Sequence, residues 1–441
     1  MMDFLKFDLS KAGGKFKILN ATNGGPWHKR HATDQWRSNF EDYKAARIPY
    51  SRNHDSALVG STYGGPYSHD ITMIFPNFDA DPYDPASYDF ACTDESILVT
   101  LDAGTQTYFR LGQSIEHQVK KHGTLPPKDF HKWAVICEHI IRHYNEGWAD
   151  GFHLNIQYWE IWNEPDLDPD DSKNKRCWGG TAAEFYELYA ITAKHLKKCF
   201  PNLKIGGPAL ANAKPGEAWI QNFLSYMREH DVPIDFFSWH VYMTEPEKMI
   251  ARAAWVRECL DRYGYTEAES ILNEWNYVKN WRDLFAYTVK MIHGAKGGAF
   301  IGAIIAAAQR TSIDMLMYYD TRPSAFNGVF DYYTYEKLKG YYPMCWYGNF
   351  YDMEAEVVAE NTPENIYPLC GVGADGKAIA MITYYSDDDG APDREIKIDF
   401  GNNAEFEVYL VDKDHDGELV AITRDLSLKL KVHSTVFLKQ R

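Results

Sequence analysis

The stretch Tyr158-Trp159-Glu160-Ile161-Trp162-Asn163-Glu164-Pro165 decides the fold. A short apolar run, rich in aromatic side chains, ends abruptly in Asn-Glu-Pro. Read with Ile156, it is a buried strand delivering a polar turn at its C-terminal end. The pattern returns 110 residues downstream, where Ile271-Leu272 leads into Asn273-Glu274-Trp275-Asn276. In both places an apolar strand ends in a carboxylate.

Between and around these two strands, short β-rich runs alternate with longer stretches of helical spacing, which implies βα units on a parallel sheet. The strands are expected at Lys17–Asn20, Ile48–Arg52, Thr107–Leu111, Ile156–Ile161, Lys204–Gly207, Asp235–Trp239, Ser270–Asn273 and Ile313–Tyr319. Helices are expected between them. One spans Asp34–Ala46, with Asp34 as N-cap. Another spans Thr181–Cys199, where Thr181 and Glu184 form a capping-box pattern. Trp281–Ala308 reads as helical, broken near Gly297-Gly298. Eight such alternations predict a (β/α)8 TIM barrel over residues 17–346. The strand carrying Glu164 is its fourth, and the strand carrying Glu274 its seventh.

Residues 60–88, rich in Gly, Pro, Tyr and Asp, read as a long functional loop. After Trp346 the pattern changes. Ile379–Tyr384, Glu395–Phe400, Glu405–Val411 and Ser434–Leu438 alternate between turn signals such as Asp375-Gly376 and Asp416-Gly417. This predicts an antiparallel β-sandwich over 347–441, to which residues 1–16 are expected to add a strand.

Composition narrows the function. The net charge of −16, from 62 acidic and 46 basic residues, argues against nucleic acid or an anionic membrane as partner. The longest apolar stretch, Ala299–Ala308, is far below the about 20 residues a bilayer-spanning helix needs, and reads as a buried barrel helix. The seven cysteines are scattered and form no Cys-x-x-Cys pair, so neither a disulfide framework nor a zinc cluster is expected. The N-terminus shows no basic segment followed by an apolar one. The expectation is a cytoplasmic protein without metal or cofactor, compatible with a homo-oligomer. Aromatic residues make up 15% of the chain, enough for some to serve as platforms for the apolar face of a sugar.

The C-terminal rim of a barrel is where active sites are built. Cleaving a glycosidic bond takes one carboxyl group kept protonated for the leaving oxygen. A second attacks the anomeric carbon or activates water. Strands four and seven face one another across the barrel mouth, so Glu164 and Glu274 are the pair this chemistry needs. Glu164 is expected to act as acid/base, beside the apolar Trp162 and Pro165, and Glu274 as nucleophile. Asn163 is placed to hydrogen-bond the sugar 2-hydroxyl.

The segments Trp159-Glu160-Ile161-Trp162-Asn163-Glu164-Pro165-Asp166-Leu167 and Asp235-Phe236-Phe237-Ser238-Trp239-His240-Val241-Tyr242 resemble those of glycoside hydrolases with catalytic glutamates on strands four and seven. Together with the seventh-strand Asn-Glu-Trp-Asn, they are most similar to glycoside hydrolase family 39, whose founding activity is β-xylosidase. The resemblance runs from about Asn20 to the C-terminus. It departs at Asn273-Glu274-Trp275, where the family more often has a Thr-Glu start. The resemblance implies that Arg52 holds the nucleophile ionised and that His54 lines the glycone site. It also implies that Tyr242 donates to Glu274 and that His240 sits by the carboxylate pair. Further sugar contacts are expected from Gln113 and Glu116 after strand three and from Asp320 and Arg322 after strand eight. Trp27, Trp36, Trp275, Trp281 and Phe326 are candidate platforms.

The expected activity is therefore that of a retaining glycoside hydrolase acting on a terminal sugar by double displacement, with a β-xyloside as the family default and an oligosaccharide or glycoside as substrate. Arabinoside or galactoside cleavage and transglycosylation use the same two glutamates. A carbohydrate-binding pseudoenzyme would be expected to have lost one of them. A metal-dependent hydrolase would need His-x-His on strand one, where Leu19-Asn20-Ala21 stands.

Overall fold

The computed structural model describes residues 3–26, 38–56, 67–322 and 324–441. Eight parallel strands close into a barrel. They are β1 (Ile18–Asn23), β2 (Tyr50–Arg52), β3 (Gln106–Leu111), β4 (Tyr158–Ile161), β5 (Lys204–Leu210), β6 (Phe236–Met243), β7 (Glu269–Tyr277) and β8 (Met315–Tyr318). With the helices between them they form a TIM barrel.

The barrel floor is filled by Ala21, Tyr108, Tyr158, Phe236, Ile271, Met315 and Met317. Tyr108 and Tyr158 stack there with ring centroids 5.5 Å apart. Side chains two residues further along each strand point the same way. Arg52, Glu160 and Ser238 therefore form a polar layer above this aromatic plug, fully or almost fully buried. The outward residues Phe109, Trp159, Ile161, Trp239 and Leu272 join the larger core beneath the helices.

β6 and β7 run past the ends expected from the sequence, to Met243 and Tyr277. Their register shifts once, so that Trp239 pairs with Leu272 but His240 pairs with Glu274. Asn273 is the extra residue of this bulge. A bulge re-aims side chains, and here two consecutive residues both reach the barrel interior: Asn273 bonds Glu160, and Glu274 bonds Arg52.

The helix expected over 34–46 is seen as Phe40–Ala45; Asp34 lies outside the described residues, as does part of the 60–88 loop. The break expected at Gly297-Gly298 lies instead at Gly294, between the helices Phe285–His293 and Ala295–Ala308. The two glycines serve close packing. A Cβ on Gly297 would stand 2.3 Å from the Ile292 carbonyl oxygen, and one on Gly298 2.8 Å from that of Lys339. No single described helix is long and apolar enough to cross a membrane.

Beyond the barrel, a six-stranded sheet runs in the order 355–356, 366–372, 378–384, 434–440, 406–411, 416–423. A three-stranded sheet is built from Arg394–Asp399, Ser427–Leu430 and the N-terminal strand Asp3–Lys6, which pairs parallel to Arg394–Asp399. Leu5, Phe7, Ile382, Ile396, Ile398 and Leu438 belong to a core of their own. Helix Ala295–Ala308 approaches the large sheet closely at Gly302, where a Cβ would meet Thr383 Oγ1 at 2.5 Å. Tyr277 at the end of β7 donates to Asp387 at 3.0 Å, and Tyr385 to the Thr244 carbonyl at 2.6 Å. The accessory sheet thus braces the strand that carries Glu274.

Candidate active site

The polar layer is organised by Arg52, which is 0% exposed. Its Nε donates to Glu160 Oε2 at 2.7 Å, and its Nη2 to Asn163 Oδ1 at 2.6 Å. Its Nη1 donates to Glu274 Oε1 at 2.7 Å and to Asn23 Oδ1 at 3.1 Å. One rigid guanidinium therefore joins β1, β2, β4 and β7, a geometry a point-charge ammonium does not reproduce. Glu160 lies under it and also accepts from Ser238 Oγ at 2.6 Å, Asn273 Nδ2 at 2.5 Å and Tyr108 Oη at 3.2 Å. Replacing Arg52 by Met leaves two buried carboxylates without their cation. The expected loss of stability is about 3–5 kcal/mol, read as a lower urea midpoint at unchanged slope.

Glu164 and Glu274 meet above this layer. A carboxylate oxygen of each lies within 4.8 Å of the other, with His240 Nδ1 inside the same span. His240 Nδ1 is 2.8 Å from Glu164 Oε1 and 3.4 Å from Glu274 Oε2. Tyr242 donates to Glu274 Oε2 at 2.7 Å. Retaining glycosidases hold their two carboxyl groups about 5–5.5 Å apart, whereas inverting ones need about 6.5–9.5 Å to admit a water. The separation here suits direct attack on a carbon held between the two.

The turn that presents Glu164 uses left-handed backbone at Trp162 (φ 73°) and Glu164 (φ 47°). Trp162 is buried, its indole donating to the Cys177 carbonyl at 2.8 Å, so it props the turn from behind. Asp166 fastens the far side by accepting from the Ala211 and Asn212 amides at 2.9 and 2.7 Å.

Burial pushes the Glu164 carboxyl up to about 7; the Asp55 carboxylate adds to this and the Arg52 cation opposes it. Burial also pushes Glu274 up, opposed by the Arg52 cation and by the Tyr242 hydrogen bond. Two carboxylates this close do not both ionise readily. The contacts assign the charge to Glu274, which has the guanidinium and the phenol at 2.7 Å each. Glu164 has a neutral imidazole and the Cys177 thiol, 3.8 Å from its Oε2. His240 is held neutral because burial lowers its pKa to about 4.

The other expected contacts divide. His54 is buried and neutral, with burial and then the Arg52 charge holding its pKa well below the usual value. Its Nε2 is 3.8 Å from Glu274 Oε1. Trp281, 54% exposed, meets Tyr242 edge-on at 5.1 Å, and Phe326 stands 5.6 Å from it. These two form an aromatic wall beside β7. Gln113 and Glu116 line a separate cavity of about 400 Å³ with Tyr67, Asp70, Ser114 and His117. Glu116 is occupied there by the amides of His122, Gly123 and Thr124. Its carboxylate staples this loop. Asp320 and Arg322 pair with each other, and Arg322 reaches the Asp55 carbonyl at 2.6 Å. Asp320 is fully buried in this pairing. Trp275 is corrected outright: it is 0% exposed and packs against Tyr318 and Phe300 on the outer face of β7. Trp27 and Trp36 lie outside the described residues. Glu160, Asn23, Asp55 and Cys177 are members that the sequence alone did not mark.

With this geometry in place, the comparisons with known proteins can be read. Residues 68–283 match Glycosyl hydrolases family 39. The matched segment is just under half of the chain. It contains Glu164, His240, Tyr242 and Glu274. Among curated relatives, a "Beta-xylosidase" of Caldicellulosiruptor saccharolyticus is 28% identical over 191 residues, covering 42% of this chain and 36% of the relative. A "Beta-xylosidase" of Geobacillus stearothermophilus is 33% identical over 126 residues, covering 28% of this chain and 23% of the relative. These alignments therefore span about a third and a quarter of the relatives' length. In fold, the whole chain is similar to a glucosidase structure from Croceicoccus marinus, with TM-score 0.81 at 24% identity and coverage of 100% and 99%. It is also similar to a monomeric β-xylosidase from Caulobacter crescentus, with TM-score 0.71 at 14% identity and the same coverage.

Proposed function

We propose that the protein is a retaining glycoside hydrolase that removes a terminal sugar through a covalent glycosyl-enzyme. The observation that carries this is the placement of Glu164 and Glu274 oxygens within 4.8 Å of one another, one charge-stabilised and the other not. In the first step Glu274 attacks the anomeric carbon while Glu164 gives its proton to the leaving oxygen. In the second, Glu164 takes a proton from water, which displaces Glu274. Asn163, fixed by Arg52, offers its amide to the sugar 2-hydroxyl. A β-D-xyloside is the first substrate to test, because the curated relatives carry the name β-xylosidase. β-Glucosides, arabinosides and galactosides are the comparison set. Proton NMR of the first-formed product from an aryl glycoside is expected to show retained anomeric configuration. Inversion removes the reading.

The pH dependence follows from the pair. Glu164 works protonated, so kcat/KM is lost as pH rises through about 7. Glu274 works ionised, so activity is lost as pH falls through its raised pKa. A bell with its basic limb near neutrality is expected, its two limbs belonging to the coupled pair. A basic limb that survives Glu164→Gln would contradict the assignment.

A further inference from the structure

The residue after His54 carries an inference that rests on the glycosidase reading and goes beyond it. Asp55 is 4% exposed and sits in left-handed backbone at φ 54°. Aspartate tolerates that conformation better than most side chains, though at some cost. Arg322 holds it there by donating to its carbonyl at 2.6 Å. Its Oδ2 accepts from the Tyr319 hydroxyl at 3.1 Å. Its Oδ1 is buried and has no hydrogen-bond partner among the described residues. The group nearest to Oδ1 in the ion-pair geometry is His54 Nε2 at 3.4 Å. That same nitrogen is 3.8 Å from Glu274 Oε1. The bare oxygen thus stands one imidazole away from the nucleophile. Asn53 Nδ2 and His54 Nδ1 are likewise buried and unpartnered. Three consecutive residues therefore carry buried polar atoms without a partner among the described residues.

A buried carboxylate oxygen without a donor is costly, and a hydroxyl supplied by a ligand removes the cost. The ring hydroxyls of a pyranose bound with its anomeric carbon at Glu274 lie within a few ångströms of that carbon. We propose that Asp55 Oδ1 accepts a hydrogen bond from a ring hydroxyl of the glycone, making Asp55 a specificity-determining residue for a terminal sugar unsubstituted at that position. Tyr319 and Arg322 set the carboxylate's aim. A glycone lacking the hydroxyl leaves the oxygen unpaired again, which is the situation in which binding sites discriminate most strongly.

The test uses the full chain with 4-nitrophenyl β-D-xylopyranoside and its 2-, 3- and 4-monodeoxy analogues. Asp55→Asn is expected to lower kcat/KM about 10- to 100-fold on the parent and on two of the analogues. On the third, which lacks the hydroxyl that Asp55 holds, it lowers kcat/KM by less than about 3-fold. The same fold-loss on all four substrates, or no loss on the parent, overturns the proposal. If Asp55→Asn does not fold, the wild type decides. The 2-hydroxyl is already taken by Asn163, so a loss of at least about 10-fold on the 3- or the 4-deoxy analogue supports the proposal, and indifference to both of these deletions overturns it. A wild type inactive on every aryl glycoside would instead sink the glycosidase reading, so the two failures are told apart.

Discussion

Glu274→Gln is expected to lower kcat by about 10⁴-fold or more on every aryl glycoside, with little change in KM. The amide keeps the shape, its oxygen can still accept from Arg52 and its NH2 can donate to the Tyr242 hydroxyl oxygen, so binding is preserved. It has no charge with which to attack, and no covalent intermediate forms. The loss does not depend on the leaving group, because every substrate passes through the same bond formation. Steady-state kinetics on protein purified free of background glycosidase checks this. Residual activity within about 10-fold of wild type would mean that another group attacks.

Glu164→Gln behaves differently, and the difference identifies its role. Protonation matters most for a poor leaving group, so an unactivated glycoside is expected to lose about 10²–10⁴-fold in kcat/KM. A dinitrophenolate leaves without help, so its kcat/KM stays within about 10-fold of wild type. Its kcat still falls, because water now lacks a base. Azide, which needs no base, is expected to restore kcat in the smaller Glu164→Ala and to yield a glycosyl azide of retained configuration. Equal losses across leaving groups, with no response to azide, would assign Glu164 to binding alone.

Much of this arrangement is legible in the chain because barrels repeat a simple grammar. An apolar strand followed by a carboxylate, twice, at fourth and seventh position, gives both the fold and the proposed catalytic pair. Arg52, His54, His240 and Tyr242 lie near that pair. Trp275 was open to a better reading. Side chains alternate along a strand, so the residue next to an inward Glu274 faces out. What disguised this was the bulge at Asn273, which lets two neighbours face inward and breaks the alternation the eye relies on. Glu160 gave no signal, since a glutamate inside an apolar strand looks the same whether it anchors an arginine or meets solvent. Asp55 was hidden for another reason. Its place depends on one left-handed residue and on contacts from Tyr319 and Arg322, more than 260 positions away. Gly297 and Gly298 resembled a break because local propensity disfavours glycine in helices; tertiary packing against Ile292 and Lys339 overrides it.

The most direct measurement is to trap the intermediate. A 2-deoxy-2-fluoro xylosyl fluoride slows both steps, and the second more, so the sugar accumulates on the enzyme. Intact mass spectrometry is expected to show one added fluorosugar per chain, peptide mapping to place it on Glu274, and a free sugar acceptor to release it with return of activity. Label on another side chain, or turnover of the probe to the inverted sugar without any adduct, would contradict the account.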